Sequence, residues 1–324
     1  MSIVPVFIVN LTPKGLYESI LNSNNKYLDY NWKLVTHVVF AGLVINRFGQ
    51  AMVSTKTETF SELANGLMFV EWFETLKEKY EHIKVFWSVA ERSRKEYGQN
   101  VDFWLSLNQV LVHSRADGIY VKMNTKCESY LKACVVPLII EPYSCEFEML
   151  TYYQDYTSIL VINSFGYLFK DDFTDFEKES DLFSTIEMLN QLQSNVNFSK
   201  AVLGLDTSML CYKNTLNGDN YTCLPIYLLS KLLFSGRIFK GQKYKFKRFE
   251  NQEMGSSTLT LEAPPYFEMI TYDSILTRTK KLRLAAMYGF AGIIVGDISN
   301  DYNHNHTGSY IRLYEDFVES QEPL

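Results

Sequence analysis

The sequence predicts a (β/α)8 TIM barrel, an α/β fold, with a small α+β insertion between its seventh strand and the following helix. Three observations lead there: eight short runs of apolar and β-branched residues, helical spacing between most of them, and one long interruption of that rhythm late in the chain. A strand covered on both faces reads as a continuous apolar run, and such runs separated by helices make a parallel sheet. Eight of them, with no Gly-rich phosphate loop, fit a closed barrel better than an open doubly wound sheet.

The strands are expected at 4–9, 34–45, 84–90, 116–123, 133–140, 158–163, 200–205 and 291–295. Between the second and third, Leu63, Leu67, Val70, Phe73 and Leu76 recur at helical spacing over Phe60 to Tyr80. Val101 to His113 carries Phe103, Leu107 and Leu111 on one stripe, and Phe183 to Gln193 carries Ile186, Leu189 and Leu192. Shorter helices are expected near Glu128 to Lys132 and from Cys145 to Tyr156. From Met209 to Met269 the pattern turns to alternation and turn residues, as in TLTLEAPPYFEMI, which predicts an inserted antiparallel unit. Asp273 then caps a helix that runs to Gly289, and a last helix lies near Tyr310 to Val318. The expected organisation is therefore a barrel over 1–208 and 270–324, with an inserted α+β subdomain at 209–269.

A chain of 324 residues with 47% hydrophobic content can bury a full core, and its net charge of -6 argues against nucleic acid or an anionic membrane as partner. The one basic run, Lys240 to Arg248, alternates lysine with aromatic residues as an exposed strand face does. No run of about 18 apolar residues exists to span a membrane. MSIVPVFIVNL lacks a basic leader and a small-residue cleavage site, so it reads as the first strand, not as a secretion signal. Five cysteines match no metal spacing. Cys211 and Cys223 are close enough in sequence to close a loop disulfide, or they are two separate thiols. Sequons at Asn10, Asn197, Asn220 and Asn305 suit an extracellular glycoprotein, with a cytoplasmic location as the alternative.

One stretch looks like a site. In Ser114 to Asn124, SRADGIYVKMN, strand alternation puts Gly118, Tyr120, Lys122 and Asn124 on one face and Ile119, Val121 and Met123 on the other. The second face suits packing and the first suits function.

The order of motifs resembles glycoside hydrolase family 18, the chitinases and chitinase-like proteins. Val35 to Ala41 (VTHVVFA) is similar to the family's second strand, Val85 to Val89 to its third, and Asp117-Gly118 to the opening of its D-G-x-D-x-D-x-E signature. Val202 to Leu205 matches its seventh strand, and Tyr272-Asp273, Gly289 and 291–301 match its last helix and strand. The resemblance implies a barrel that handles chitin-like glycans, with the signature's final Glu as proton donor and the Asp before it orienting the substrate's own acetamide. Here the middle Asp falls on Tyr120, the third on Lys122 and the Glu on Asn124, which has no titratable proton to donate. Ala90-Glu91 stands where the family has Gly-Gly, Ile162 to Phe165 replaces its M-T-Y-D, its Tyr after strand seven falls on Ser208, and Gly296 replaces the Trp that floors its sugar site.

These departures predict a catalytically inactive chitinase-like protein without metal or cofactor, acting by binding a chitin-like glycan or a protein partner. Lys122 should point into the barrel mouth, where a cation needs a partner, and Glu141, Asp206 and Asp297 each follow a strand and can supply one. The plain expectation is an ion-paired plug; the sharper alternative makes Lys122 a Schiff-base nucleophile. Glu91, Glu141, Asp206 and Asp297 are the substrate-binding candidates, and Glu141 with Asp206 is the pair a relocated hydrolase would use. His37 is expected in the core, and His304 and His306 in a surface loop, not a metal site.

Overall fold

The structure is a computed structural model that describes residues 6–11, 31–45, 50–53, 74, 76–89, 101–123, 136–142, 147–163, 185–215, 218–225, 245–251, 256–263, 266–298, 301, 307 and 309–321. Eight parallel strands close into a barrel: β1 (Val6–Leu11), β2 (His37–Ile45), β4 (Lys84–Val89), β5 (Gly118–Met123), β6 (Leu138–Pro142), β7 (Ile159–Asn163), β8 (Ala201–Leu205) and β14 (Gly292–Asp297). Closure comes from β1, which pairs with both β14 and β2. A short strand β3 (Ala51–Val53) runs antiparallel to the end of β2 and is absent from the sequence prediction.

Alternation sorts the strand residues into two cores. Ile8, Val39, Phe86, Tyr120, Ile139, Val161, Val202 and Ile294, one from each strand, fill the barrel interior. Their neighbours, such as Phe7, Phe40, Trp87, Ile119, Ile140, Leu203 and Val295, pack outward under the helices. Each fully buried side chain of this size contributes roughly 1.5–3 kcal/mol, so these two layers carry most of the hydrophobic stabilisation.

The described helices are α1 (Val101–Ser114), α2 (Phe147–Tyr153), α3 (Thr185–Leu192), α4 (Ile275–Met287) and α5 (Tyr310–Gln321). Leu107 and Leu111 of α1 and Leu189 and Leu192 of α3 are buried, on the stripes their spacing predicted. Of the helix expected over Phe60 to Tyr80, residues 74 and 76–79 are helical, and the rest of it and the short helix at 128–132 lie outside the described residues.

Between β8 and α4 lies a five-stranded antiparallel sheet of β9 (Ser208–Thr215), β10 (Gly218–Pro225), β11 (Lys245–Asn251), β12 (Ser256–Ala263) and β13 (Tyr266–Tyr272), in the order β10-β9-β13-β12-β11. Its register sets Cys211 opposite Thr222 and Cys223 opposite Leu210, so the two cysteines do not face one another across the ladder. The basic Lys240 to Arg248 run supplies part of β11, paired to β12.

Two boundaries correct the sequence prediction. The fifth barrel strand begins at Leu138, beyond Pro137, and continues through Pro142; a proline has no N–H for the ladder and suits a strand's first edge. Ser274, not Asp273, caps α4, its hydroxyl accepting from the Thr277 N–H at 3.2 Å. The Asp273 carboxylate instead accepts from Lys281 Nζ at 2.7 and 2.9 Å, inside a buried network. There Arg278, wholly buried, donates to Asp301 at 2.6 Å and stacks 4.1 Å from the Tyr310 ring, tying α4 to the end of β14 and the start of α5. Burial works against the guanidinium's charge, but Asp301 and its neighbours hold it ionised, while burial pushes the Tyr310 phenol well up.

Candidate functional site

Two residues beyond each interior side chain, the barrel changes character. The next inward positions toward the C-terminal mouth are Asn10, Ala41, Ser88, Lys122, Glu141, Asn163, Gly204 and Gly296, one per strand, and all eight line a cavity of about 290 Å³. The strand period of two thus stacks a polar and small-residue ring on an apolar plug, at the end where such barrels bind their ligands. Large side chains occupy one side of the ring, from β5 to β7, while Gly204, Gly296 and Ala41 leave room on the other.

Lys122 and Glu141 sit opposite each other in the β5–β6 register, with Nζ 2.5 Å from Oε1. Asn163 Nδ2 donates to the same oxygen at 2.9 Å, so both described partners of Glu141 share Oε1. Gly204 makes this possible, since a Cβ there would overlap Asn163 Oδ1. Burial pushes the Glu141 carboxyl up to about 7, with the Asn163 amide opposing. Burial lowers the Lys122 ammonium, and Asp206 opposes that. Whichever atom holds the shared proton, the pair is neutral as a unit.

Two residues that line the cavity, Tyr120 and Asn10, each carry a polar atom, the hydroxyl and Oδ1, that is buried and has no hydrogen-bond partner among the described residues. Tyr120 is only 2% exposed, a ring in the apolar plug with a polar tip. A buried donor or acceptor left without a partner costs about 1–3 kcal/mol.

The structure brings Tyr120, Lys122, Glu141 and Asp206 together at the mouth. Glu141 does not follow its strand, as the sequence led one to expect, but lies within it; this gives its side chain a fixed inward direction. Asp297 ends β14, next to Asn10 in register. Asp117 is elsewhere: at the N-terminal end of β5 its carboxylate accepts from the Val85 N–H at 2.7 Å and pairs with Lys77 at 2.8 Å, a brace at the barrel's foot. Glu91, Asn124, His304 and His306 lie outside the described residues. His37 is in the core as expected, with Thr36 Oγ1 2.8 Å from Nδ1 and the Phe86 ring alongside, and burial lowers its pKa to about 4.

Sequence reasoning misses Asn10 and Ser88 as site residues. Asn10 draws notice only as a sequon, yet its amide oxygen is buried in the barrel mouth. Asn197, by contrast, is exposed, and its side chain accepts from Ser199 N–H and Oγ at 3.1 and 2.7 Å. Extending the alternation found on β5 to every other strand would have found the ring.

Among the described residues no group of three His, Cys, Asp or Glu could hold a metal ion, and no helix is long and apolar enough to cross a membrane.

Fold and mouth together define a (β/α)8 barrel with its pocket at the C-terminal ends of the strands. No protein-family model and no curated protein matches the sequence. Solved structures do. The Group IV chitinase of Ostrinia furnacalis superposes with a TM-score of 0.71 at 14% identity, over 98% of this chain and 100% of that one. The immunomodulatory active chitinase from Trichuris suis gives 0.68 at 14% identity over 97% and 100%. A chitinase-like agglutinin from Robinia pseudoacacia gives 0.64 at 12% identity over 95% and 99%. The chain has the fold of the chitinases and chitinase-like proteins, as the order of its motifs implied.

Proposed function

We propose that this protein is a catalytically inactive chitinase-fold protein that binds at the barrel mouth without cleaving what it holds. The observation that carries this is the β5 strand: where the resemblance calls for a train of carboxylates, the inward positions hold Tyr120 and Lys122, and Lys122 is tied to Glu141. Losing a general acid alone removes a factor of about 10² to 10⁴ in rate. A lysine ammonium in the middle of the site also opposes the positive charge that builds up on a glycosidic transition state. The Robinia agglutinin supports a non-hydrolytic use of this fold, since that protein is described as an agglutinin. A chitin-like glycan or a protein is the partner class, and an extracellular location, with cytoplasmic as the alternative, rests on the sequons other than the buried Asn10, among them the exposed Asn197.

A second reading, a hydrolase with relocated carboxylates, is favoured by one observation: Glu141 has a pKa near 7 in a pocket that also contains Asp206. Against it stands the lysine beside Glu141, which favours the ionised carboxylate over the protonated acid that hydrolysis needs. Incubating the protein with chitin oligosaccharides and aryl glycosides separates the two. We expect no turnover, and turnover abolished by Glu141→Gln or Asp206→Asn would establish the hydrolase. With no turnover, a chitin pull-down that retains nothing would leave a scaffold without a sugar site.

A further inference from the structure

Two of the four sequons have described side chains, and the fold places them in opposite surroundings. Asn10 belongs to the polar ring at the mouth, with Oδ1 buried and Leu11 beside it in the core. Asn197 lies at the other end of the barrel, capping the 3-10 turn Phe198–Lys200 that leads into β8, whose far end at Leu205 lines the pocket. The middle residue of this sequon, Phe198, is buried and stacks on Phe290 with ring centroids 4.6 Å apart. Asn197 and Ser199, on either side of that anchor, are exposed. The Asn197 N–H donates to Gln154 Oε1 at 3.1 Å, and its carbonyl accepts from the Lys200 N–H at 3.0 Å, so the backbone of the turn is held on both sides. Asn197 Oδ1 accepts from the Ser199 N–H and hydroxyl, while Nδ2 makes no hydrogen bond to a described residue.

We infer that Asn197 accepts an N-linked oligosaccharide, and that Asn10, though it begins a sequon, stays bare in the folded protein. This rests on the extracellular location proposed above and names a surface modified on that route. In the transfer, Nδ2 attacks C1 of the first sugar of a lipid-pyrophosphate-linked oligosaccharide. The C1–O bond breaks, the lipid pyrophosphate leaves with its electron pair, and Nδ2 gives up one proton. The product keeps Oδ1, so the bonds from Ser199 that cap the turn survive, and the sugar extends from an exposed side chain into water. A sugar on Asn10 would instead start inside the barrel mouth. The cavity there, about 290 Å³, is at the small end for one small ligand, whereas an N-linked glycan is a chain of several sugars. A glycan on Asn197 stands at the barrel's foot and leaves the pocket open.

The test is expression of the full chain behind a cleavable secretion leader in a eukaryotic host. Release of N-glycans by an amidase in heavy-oxygen water then marks each occupied asparagine as labelled aspartate, read by peptide mass spectrometry. The expected result is label at 197 and none at 10, in folded protein from the medium or from a retained, endoglycosidase-sensitive pool. Ser199→Ala should abolish the label at 197 while its N–H still caps the turn, and Ser199→Thr, which keeps the hydroxyl, should retain it. An unlabelled Asn197, a label at Asn10 in folded protein, or a label at 197 that persists in Ser199→Ala would overturn the inference. The location is read separately, from the protein in its own cells. Bare protein there, beside a labelled Asn197 in the secretory host, would contradict the extracellular location and leave the site standing.

Discussion

Lys122 Nζ and Glu141 Oε1 lie 2.5 Å apart on adjacent strands, the lysine side chain 44% exposed and the glutamate 8%. The two partners are therefore unequal. Removing the glutamate lets the lysine swing toward water, whereas removing the lysine strands a carboxylate in the barrel. We expect Lys122→Met to cost about 1–3 kcal/mol, below the range for a fully buried pair because the lysine is half exposed. Glu141→Gln keeps an acceptor for Asn163 and should cost less than about 1 kcal/mol. Urea unfolding of both variants at neutral pH checks the asymmetry.

Glu141 also gives a pH signature. Its native pKa is raised from 4.5 to about 7, so between those values the folded state holds the proton more tightly than the unfolded chain. Its contribution is full below pH 4.5 and is lost as pH rises to 7, at no more than about 1.4 kcal/mol per pH unit. The Asn163 amide opposes this loss, as does the ammonium of Lys122 paired with the carboxylate. The decline should steepen in Lys122→Met and vanish in Glu141→Gln, read from denaturation midpoints across that window.

His37 works in the opposite direction over nearly the same range. Burial and the nearby Lys84 lower its pKa from 6.5 to about 4, with Asp117 opposing. The folded state resists protonation, so this contribution is present above pH 6.5 and is lost as pH falls toward 4. The two slopes partly cancel in the wild type. His37→Phe should remove the acid-side loss and leave the Glu141 decline exposed, which differences between variant and wild-type midpoints will show.

Asp301 holds together the seam between α4 and α5. It accepts from Arg278 at 2.6 Å and from the Tyr310 N–H at 2.8 Å, and Arg278 has no exposure through which to regain water. Asp301→Ala should cost about 3–5 kcal/mol, the range for breaking a buried pair from one side. Thermal unfolding measures it; a loss under about 1 kcal/mol would show that Arg278 finds other partners.

Much of the barrel was legible because strands buried on both faces leave an unmistakable run of apolar residues, and period two then assigned Tyr120 and Lys122 inward and Ile119 outward. Strand ends were less so. Pro137 moved the start of β6 to Leu138, and the strand's continuation through Pro142 moved Glu141 from loop to strand. The site was half legible: β5 announced itself through its likeness to a catalytic motif, while Asn10 and Ser88 come from strands whose sequence carries no such sign. They become a site only when register brings eight strands to one height, which is tertiary information. The partner of Lys122 likewise had three candidates until the β5–β6 register chose Glu141.

The central claim, a chitinase-fold barrel that binds without hydrolysis, is tested most directly by product analysis after prolonged incubation of the purified protein with chitin oligosaccharides. Intact substrate at a level indistinguishable from buffer is the predicted result. Release of shorter oligosaccharides by the wild type, lost in Glu141→Gln or Asp206→Asn, would contradict it.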